Sequence, residues 1–171
     1  MQFKKGISEK QINQLIYYTN NDLDIGKFTS DLKRFKNRQM FDKWQKKKRT
    51  IFTITDEKSN LLGIFWIGEE DLAGEKIPNQ DLLFSFKRED YGITFAVRIY
   101  GQARGKGLAK EFIERSFKEF NAKKKIWLDT KVENERAISL YKKLGFKTAT
   151  RADKEGWIIM IQEESHEAHT N

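Results

Sequence analysis

Apolar residues recur along this chain with two periods, and the switches between them divide it into helices and strands. In "SEKQINQLIYYTN", Ile12, Leu15 and Ile16 fall at helical spacing. Ser8 stands before them with Gln11 three residues on, the pattern of a capping box, so a helix is predicted from there. "TSDLKRFKNRQMFDKWQKKK" reads as a second helix, entered at Thr29 or Ser30 and broken or bent near Arg38. "TIFTIT" and "LLGIFWIG" are β-rich runs joined by the turn "DEKSN", a predicted hairpin. From Glu69 to Asp90 the pattern is ambiguous, with Pro78 and a candidate short strand, "LLFSF".

The second half has a cleaner rhythm. "YGITFAVRIY" predicts a strand, and "GKGLAKEFIERSFKEF" a helix directing Leu108, Phe112, Phe117 and Phe120 inward. "KIWLDTKV" predicts a strand with Ile126, Leu128 and Thr130 on one face and Trp127, Asp129 and Lys131 on the other. "NERAISLYKKLG" is a helix, and "FKTATRADKEGWIIMIQ" a terminal pair of strands around a turn. The order helix, helix, three strands, helix, strand, helix, two strands predicts a mixed α/β fold. At its middle lies a strand–helix–strand unit with a glycine-rich loop at the first strand's exit. In such units ligands bind beyond the carboxyl ends of strands.

Composition narrows the chemistry. The 171 residues contain a single proline, no repeat and 13% aromatics, consistent with one domain over residues 1–163. The polar tail 164–171 is expected to be disordered. A net charge of +8 points to anionic partners: nucleic acid, a membrane surface or a phosphorylated small molecule. No apolar run is long enough to span a bilayer, and "MQFKKGISEK" lacks a signal peptide's apolar core, so a cytoplasmic protein without a membrane partner is expected. The absence of cysteine excludes thiolate chemistry and cysteine-ligated zinc. The two histidines, His166 and His169, both sit in the tail, so neither a histidine triad nor a metal site is expected. Carboxylates, tyrosines, lysines and backbone groups are left to do the chemistry.

The loop "YGQARGKGLAKEF", residues 100–112, fails as a Walker loop, because Gly101 to Gly105 is one residue short and Gly107 stands where a hydroxyl is needed. It fails as a dinucleotide fingerprint because Lys110 holds the third glycine's place. What survives is simpler. Backbone N–H groups at a helix start have no intrahelical partners, and the helix dipole favours an anion there. Gly105 and Gly107 permit close approach, while Arg104, Lys106 and Lys110 add positive charge. On its own the loop is equally well an ordinary glycine turn.

Downstream, "NERAISLYKKLGF" at residues 134–146 follows "RGKGLA" by about thirty residues. The two motifs, in this order and at this separation, resemble the GCN5-related N-acetyltransferase (GNAT) superfamily over roughly Tyr91 to Phe146. The pattern "Gln or Arg, two residues, Gly, one residue, Gly or Ala" fits from Gln102 and from Arg104. The Arg104 register, ending at Ala109, leaves Leu108 and Phe112 directed to the core and is preferred. The resemblance implies a mostly antiparallel sheet flanked by helices and splayed between the strand ending at Ile99 and the strand from Ile126. It also implies acetyl-CoA as co-substrate. Val97, Arg98 and Ile99 would pair with the pantetheine arm by β-augmentation. Arg104, Gly105, Lys106, Gly107, Leu108 and Ala109 would offer N–H groups to its pyrophosphate. Asn134 would contact pantetheine or start the last long helix, and Tyr141 would lie near the thioester sulfur as general acid.

Asp129 is the implied base, with Glu69, Glu70 and Asp90 competing for the role. Tyr141, Asp129 and Asn134 thus form the implied catalytic set, acting on a primary amine of a small molecule or peptide. The chain departs from the family pattern at Gly101, where a proline is frequent, and at Lys131 and Val132, where Asn-Pro is frequent. A catalytically idle acyl-CoA sensor or interaction module on the same fold is the alternative, and a basic RNA-associated protein a third. The series Lys33, Arg34, Lys36, Arg38, Lys43, Lys46, Lys47, Lys48 and Arg49 reads first as a solvated helix face, with nucleic acid the lesser option. A homodimer stays open.

Overall fold

The computed structural model describes residues 1–72, 77 and 81–163. Seven strands form one sheet: β1 (Gln2–Lys5), β2 (Arg49–Thr55), β3 (Leu61–Glu69), β4 (Tyr91–Ile99), β5 (Lys125–Lys131), β6 (Phe146–Thr148) and β7 (Trp157–Gln162). Their order is β1-β2-β3-β4-β5-β7-β6, and every neighbouring pair is antiparallel except β4–β5. Among the described residues six α-helices flank it: α1 (Glu9–Asn21), α2 (Leu23–Phe28), α3 (Leu32–Phe35), α4 (Arg38–Gln45), α5 (Leu108–Phe120) and α6 (Glu135–Lys143). The mixed fold, mostly antiparallel, is the one the motifs imply.

The run "LLGIFWIG" forms a strand buried on both faces, because each face of the sheet is covered by helices. On one side Phe65, Phe95, Phe112, Ile113, Leu128 and Phe146 pack between the sheet and α5 and α6. On the other Ile12, Leu15, Phe35, Phe41, Trp44 and Trp66 pack beneath α1 to α4. The capping box of α1 forms as read. Gln11 N donates to Ser8 Oγ at 3.4 Å, and Ser8 N donates to Gln11 Oε1 at 2.9 Å.

Three local readings change. The chain begins with a strand, β1, which pairs with β2 across some fifty residues of sequence. The helix read from Thr29 onward is broken near Arg38, as its pattern predicts, into α3 and α4, where Asn37 turns extended and caps α4 by accepting from Met40 N. Ahead of them stands α2, which the apolar pattern does not signal. At "LLFSF" no strand forms among the described residues; Leu82 makes an isolated bridge to Thr150. Pro78 and the tail 164–171 lie outside the described residues, and no helix described is long and apolar enough to cross a membrane.

The feature that positions the site is where one ladder stops. β3 and β4 pair all the way to Gly63–Ile99, whereas β4 and β5 pair only to Thr94–Trp127. Beyond that point the two strands diverge, and β4 runs on with its β5-facing edge unpaired. The sheet is splayed between them, as the motifs imply.

Candidate active site

The splay opens into a cleft of about 790 Å³. β4 supplies Phe95 to Ile99, the following loop and α5 supply Arg104, Gly105 and Gly107 to Lys110, and β5 supplies Asp129 and Thr130. Asn134, Ala137, Leu140 and Tyr141 come from the start and inner face of α6, and Phe28, Thr29, Ser30 and Arg34 from the α2–α3 region. Ten of the implied cofactor-contacting residues thus meet in one place; Lys106 alone does not line it. Asp129 lines it as well, but the competing acids do not: Glu70 approaches Arg49 at 3.6 Å and Asp90 approaches Lys125 at 3.6 Å.

Strand geometry fixes what the free edge offers. Tyr100 N donates to Leu62 O at 2.8 Å, so the even-numbered residues of β4 direct their N–H and C=O groups to β3. The backbone groups of Phe95, Val97 and Ile99 therefore face the splay. Two of these carbonyls already accept from arginines: Val97 O from Arg98 Nη1 and Ile99 O from Arg104 Nε, both at 2.8 Å.

The loop beyond β4 has the conformation that the glycines were read to permit. Gly105 and Gly107 adopt φ of +78° and +73°, the left-handed region in which a side chain is strained. Gly107 caps α5, so the N–H groups of its first turn lack a side-chain acceptor. One expected donor is already engaged: Arg104 N donates to Gly101 O at 3.1 Å, so the open series begins at Gly105. The Arg104 guanidinium also turns away from the loop. It pairs with Asp22 and, at 3.4 Å, with Asp24, leaving Lys106 and Lys110 as the nearby positive side chains.

Tyr141 is buried, its ring edge-on to Phe95 at 5.7 Å, yet it lines the cleft and its hydroxyl has no hydrogen-bond partner among the described residues. Burial raises its pKa above the ordinary tyrosine value; Arg98 pulls the other way, and the charge of Asp129 adds to the rise. Asn134 caps α6, its Oδ1 accepting from Ala137 N at 3.2 Å, which realises the second of the two roles read for it. Asp129 sits at an exposed position of β5, on the sheet face opposite Leu128.

Sequence reading missed the carboxylates that hold the arginines. Asp31, fully buried, accepts from Arg98 Nε at 2.6 Å and Nη2 at 2.8 Å, and also binds Arg34 at 3.2 Å. Arg98 stacks over Trp66 with its guanidinium 5.0 Å from the ring centroid. Asp31 follows Thr29 and Ser30, where the pattern suggested a helix cap, so its buried pairing had no separate signal. Among the described residues no group of carboxylates and histidines is arranged to hold a metal ion.

A family model described as "Acetyltransferase (GNAT) family" matches residues 21–146. No curated protein matches the chain. Solved structures do. A variant of spermidine N-acetyltransferase from Vibrio cholerae superposes with TM-score 0.60 at 18% identity, covering 95% of this chain and 94% of that one. Ribosomal-protein-alanine N-acetyltransferase from Brucella melitensis gives 0.65 at 15% identity, covering 95% and 99%. An N-acetyltransferase from Staphylococcus aureus gives 0.57 at 19%, covering 94% and 96%. At these identities the likeness is one of fold.

Proposed function

The chain belongs to the acetyltransferase (GNAT) family, and from that premise we propose that it transfers the acetyl group of acetyl-CoA directly to a primary amine, with both substrates bound in the one cleft. The observation that carries this reading is the end of the β4–β5 ladder at Thr94–Trp127, with β4 continuing to Ile99 beside the glycine loop. A free strand edge suits the amide groups of pantetheine, and a helix start without a side-chain cap suits a pyrophosphate. Val97 and Ile99 would hold the former. Gly105 to Ala109 would hold the latter, with Asn134 fixing the start of α6 beside them.

Acetyl-CoA supplies the acyl group as a thioester. Asp129, directly or through a water, takes the proton released as the amine nitrogen bonds to the carbonyl carbon. An alkyl amine has a reference pKa near 10.4, so little free base exists at neutral pH without such an acceptor. Tyr141 Oη faces the sulfur as the carbon–sulfur bond breaks. Full proton transfer from a tyrosine to a thiolate is already about 2 kcal/mol uphill between reference pKa values of about 10 and 8.5, and burial of Tyr141 steepens it. The hydroxyl therefore acts chiefly by hydrogen-bonding to the departing sulfur, with the proton arriving from solvent. Holding both reactants in one cleft supplies much of the remaining acceleration.

The solved neighbours are named for acceptors as unlike as spermidine and a ribosomal protein's alanine, so the acceptor is best found by screening. The test is thiol release from acetyl-CoA across a panel of polyamines, amino acids and peptides. Release that depends on one class of amine supports the reading. Protein that binds acetyl-CoA yet releases no thiol with any amine would falsify it.

A further inference from the structure

Nearly all of the chain's excess charge lies in one segment. Residues 31–49 hold nine Lys and Arg against two Asp, a net +7, while the remaining residues hold 24 basic and 23 acidic side chains, a net +1. In the fold this segment is α3, α4 and the turn into β2. Arg34, Arg38 and Arg49 have carboxylate partners. Lys33, Lys36, Lys43, Lys46, Lys47 and Lys48 are all exposed and have no ion pair among the described residues.

A helix face that is merely solvated usually interleaves both signs, with acids placed to pair at i,i+4. Here the only such acid is Asp42, and Arg38 takes it at 2.7 Å. Phe35, Phe41 and Trp44 are interleaved with these charges along the sequence. The structure buries all three. The segment therefore sorts its aromatics inward and its lysines outward, offering point charges without stacking surface.

We propose that the α3–α4 face docks the phosphate backbone of a nucleic acid helix, without reading its sequence. Charge complementarity selects the occupant. Lysines carried on α3, on α4 and in the turns that follow each of them match a regular array of phosphates, and single strands would need the exposed rings this face lacks. Arg34 belongs both to this segment and to the cleft lining, so a docked helix lies next to the cleft's α3 wall. The inference does not rest on the acetyl-transfer reading and is tested separately.

The test is fluorescence anisotropy with the full chain and a mixed-sequence RNA duplex, titrated at several salt concentrations. With about six phosphate contacts, affinity should fall about 1,000-fold between roughly 50 and 200 mM salt. The variant carrying Lys43→Gln, Lys46→Gln, Lys47→Gln and Lys48→Gln should bind more weakly and lose only about tenfold over the same range. A control carrying Lys4→Gln, Lys118→Gln, Lys123→Gln and Lys154→Gln removes equal charge from exposed positions elsewhere and should bind like the wild type. Both sets are exposed, and unfolding midpoints establish that each variant folds. The proposal is overturned if the control weakens binding as much as the variant at Lys43, Lys46, Lys47 and Lys48. It is equally overturned if single strands bind more tightly than the duplex, or if poly-glutamate or phosphatidylserine vesicles compete at equal charge.

Discussion

Tyr141 joins two demands in one side chain: its ring is part of the core and its hydroxyl meets the cleft. Tyr141→Phe keeps the ring against Phe95 and removes the donor. If that donor meets a developing thiolate, a charged hydrogen bond of about 1.5–3 kcal/mol is lost, and kcat should fall about 10- to 100-fold. The dissociation constant of acetyl-CoA should be unchanged in equilibrium titration. Unaltered kcat would assign the tyrosine to packing alone. Gly107 makes a different demand, on the backbone. A Cβ there would meet nothing within 4 Å, so Gly107→Ala tests conformation with no clash to confuse it. At φ +73° alanine should cost about 1–2 kcal/mol. If the loop holds pyrophosphate, the variant should weaken acetyl-CoA binding while leaving the amine's KM unchanged, a split that steady-state kinetics reads directly.

Among the elements, β4 depends most on a distant partner. Its Arg98 is held by Asp31, 67 residues away, and removing the buried carboxylate would leave a guanidinium that is only 15% exposed without its counter-charge. Asp31→Ala should cost about 3–5 kcal/mol, seen as a lower urea midpoint at constant m, and adding Arg98→Met should recover much of it. Such pairs explain which parts of the molecule were legible in sequence. The cap of α1, the inner faces of α5 and α6 and the glycine loop were readable because their cause lies within a few residues. β1 was not. "QFKK" offers one apolar residue and becomes a strand only by pairing with β2. α2, six residues containing Gly26, buries only Ile25 and leaves no period to count. The site divides the same way: its backbone donors could be placed from the motifs, whereas Asp22, Asp24 and Asp31 find their arginines only through the fold.

At the scale of the whole molecule, a helix layer on each face buries the sheet, and Tyr100 and Tyr141 are buried with it. Burial raises Tyr141 and raises Tyr100 well above the usual value, the charge of Asp31 adding to the second. Below pH about 10 these side chains are neutral whether the chain is folded or not. Above it the unfolded chain can release both protons while the folded one resists, so stability should fall as pH rises from about 10 toward the raised native values. Thermal unfolding between pH 8 and 11 measures this, and Tyr100→Phe should flatten the decline. The arginines on β4 have a bearing on how the molecule stays apart from its neighbours. A sheet that opens mid-way leaves an inner strand with bare carbonyls, and bare strand edges recruit other chains. Arg98 and Arg104, donating to Val97 O and Ile99 O while anchored to aspartates, cap those acceptors with charge. The opening can thus admit a small extended ligand while discouraging a foreign β-strand from completing the sheet.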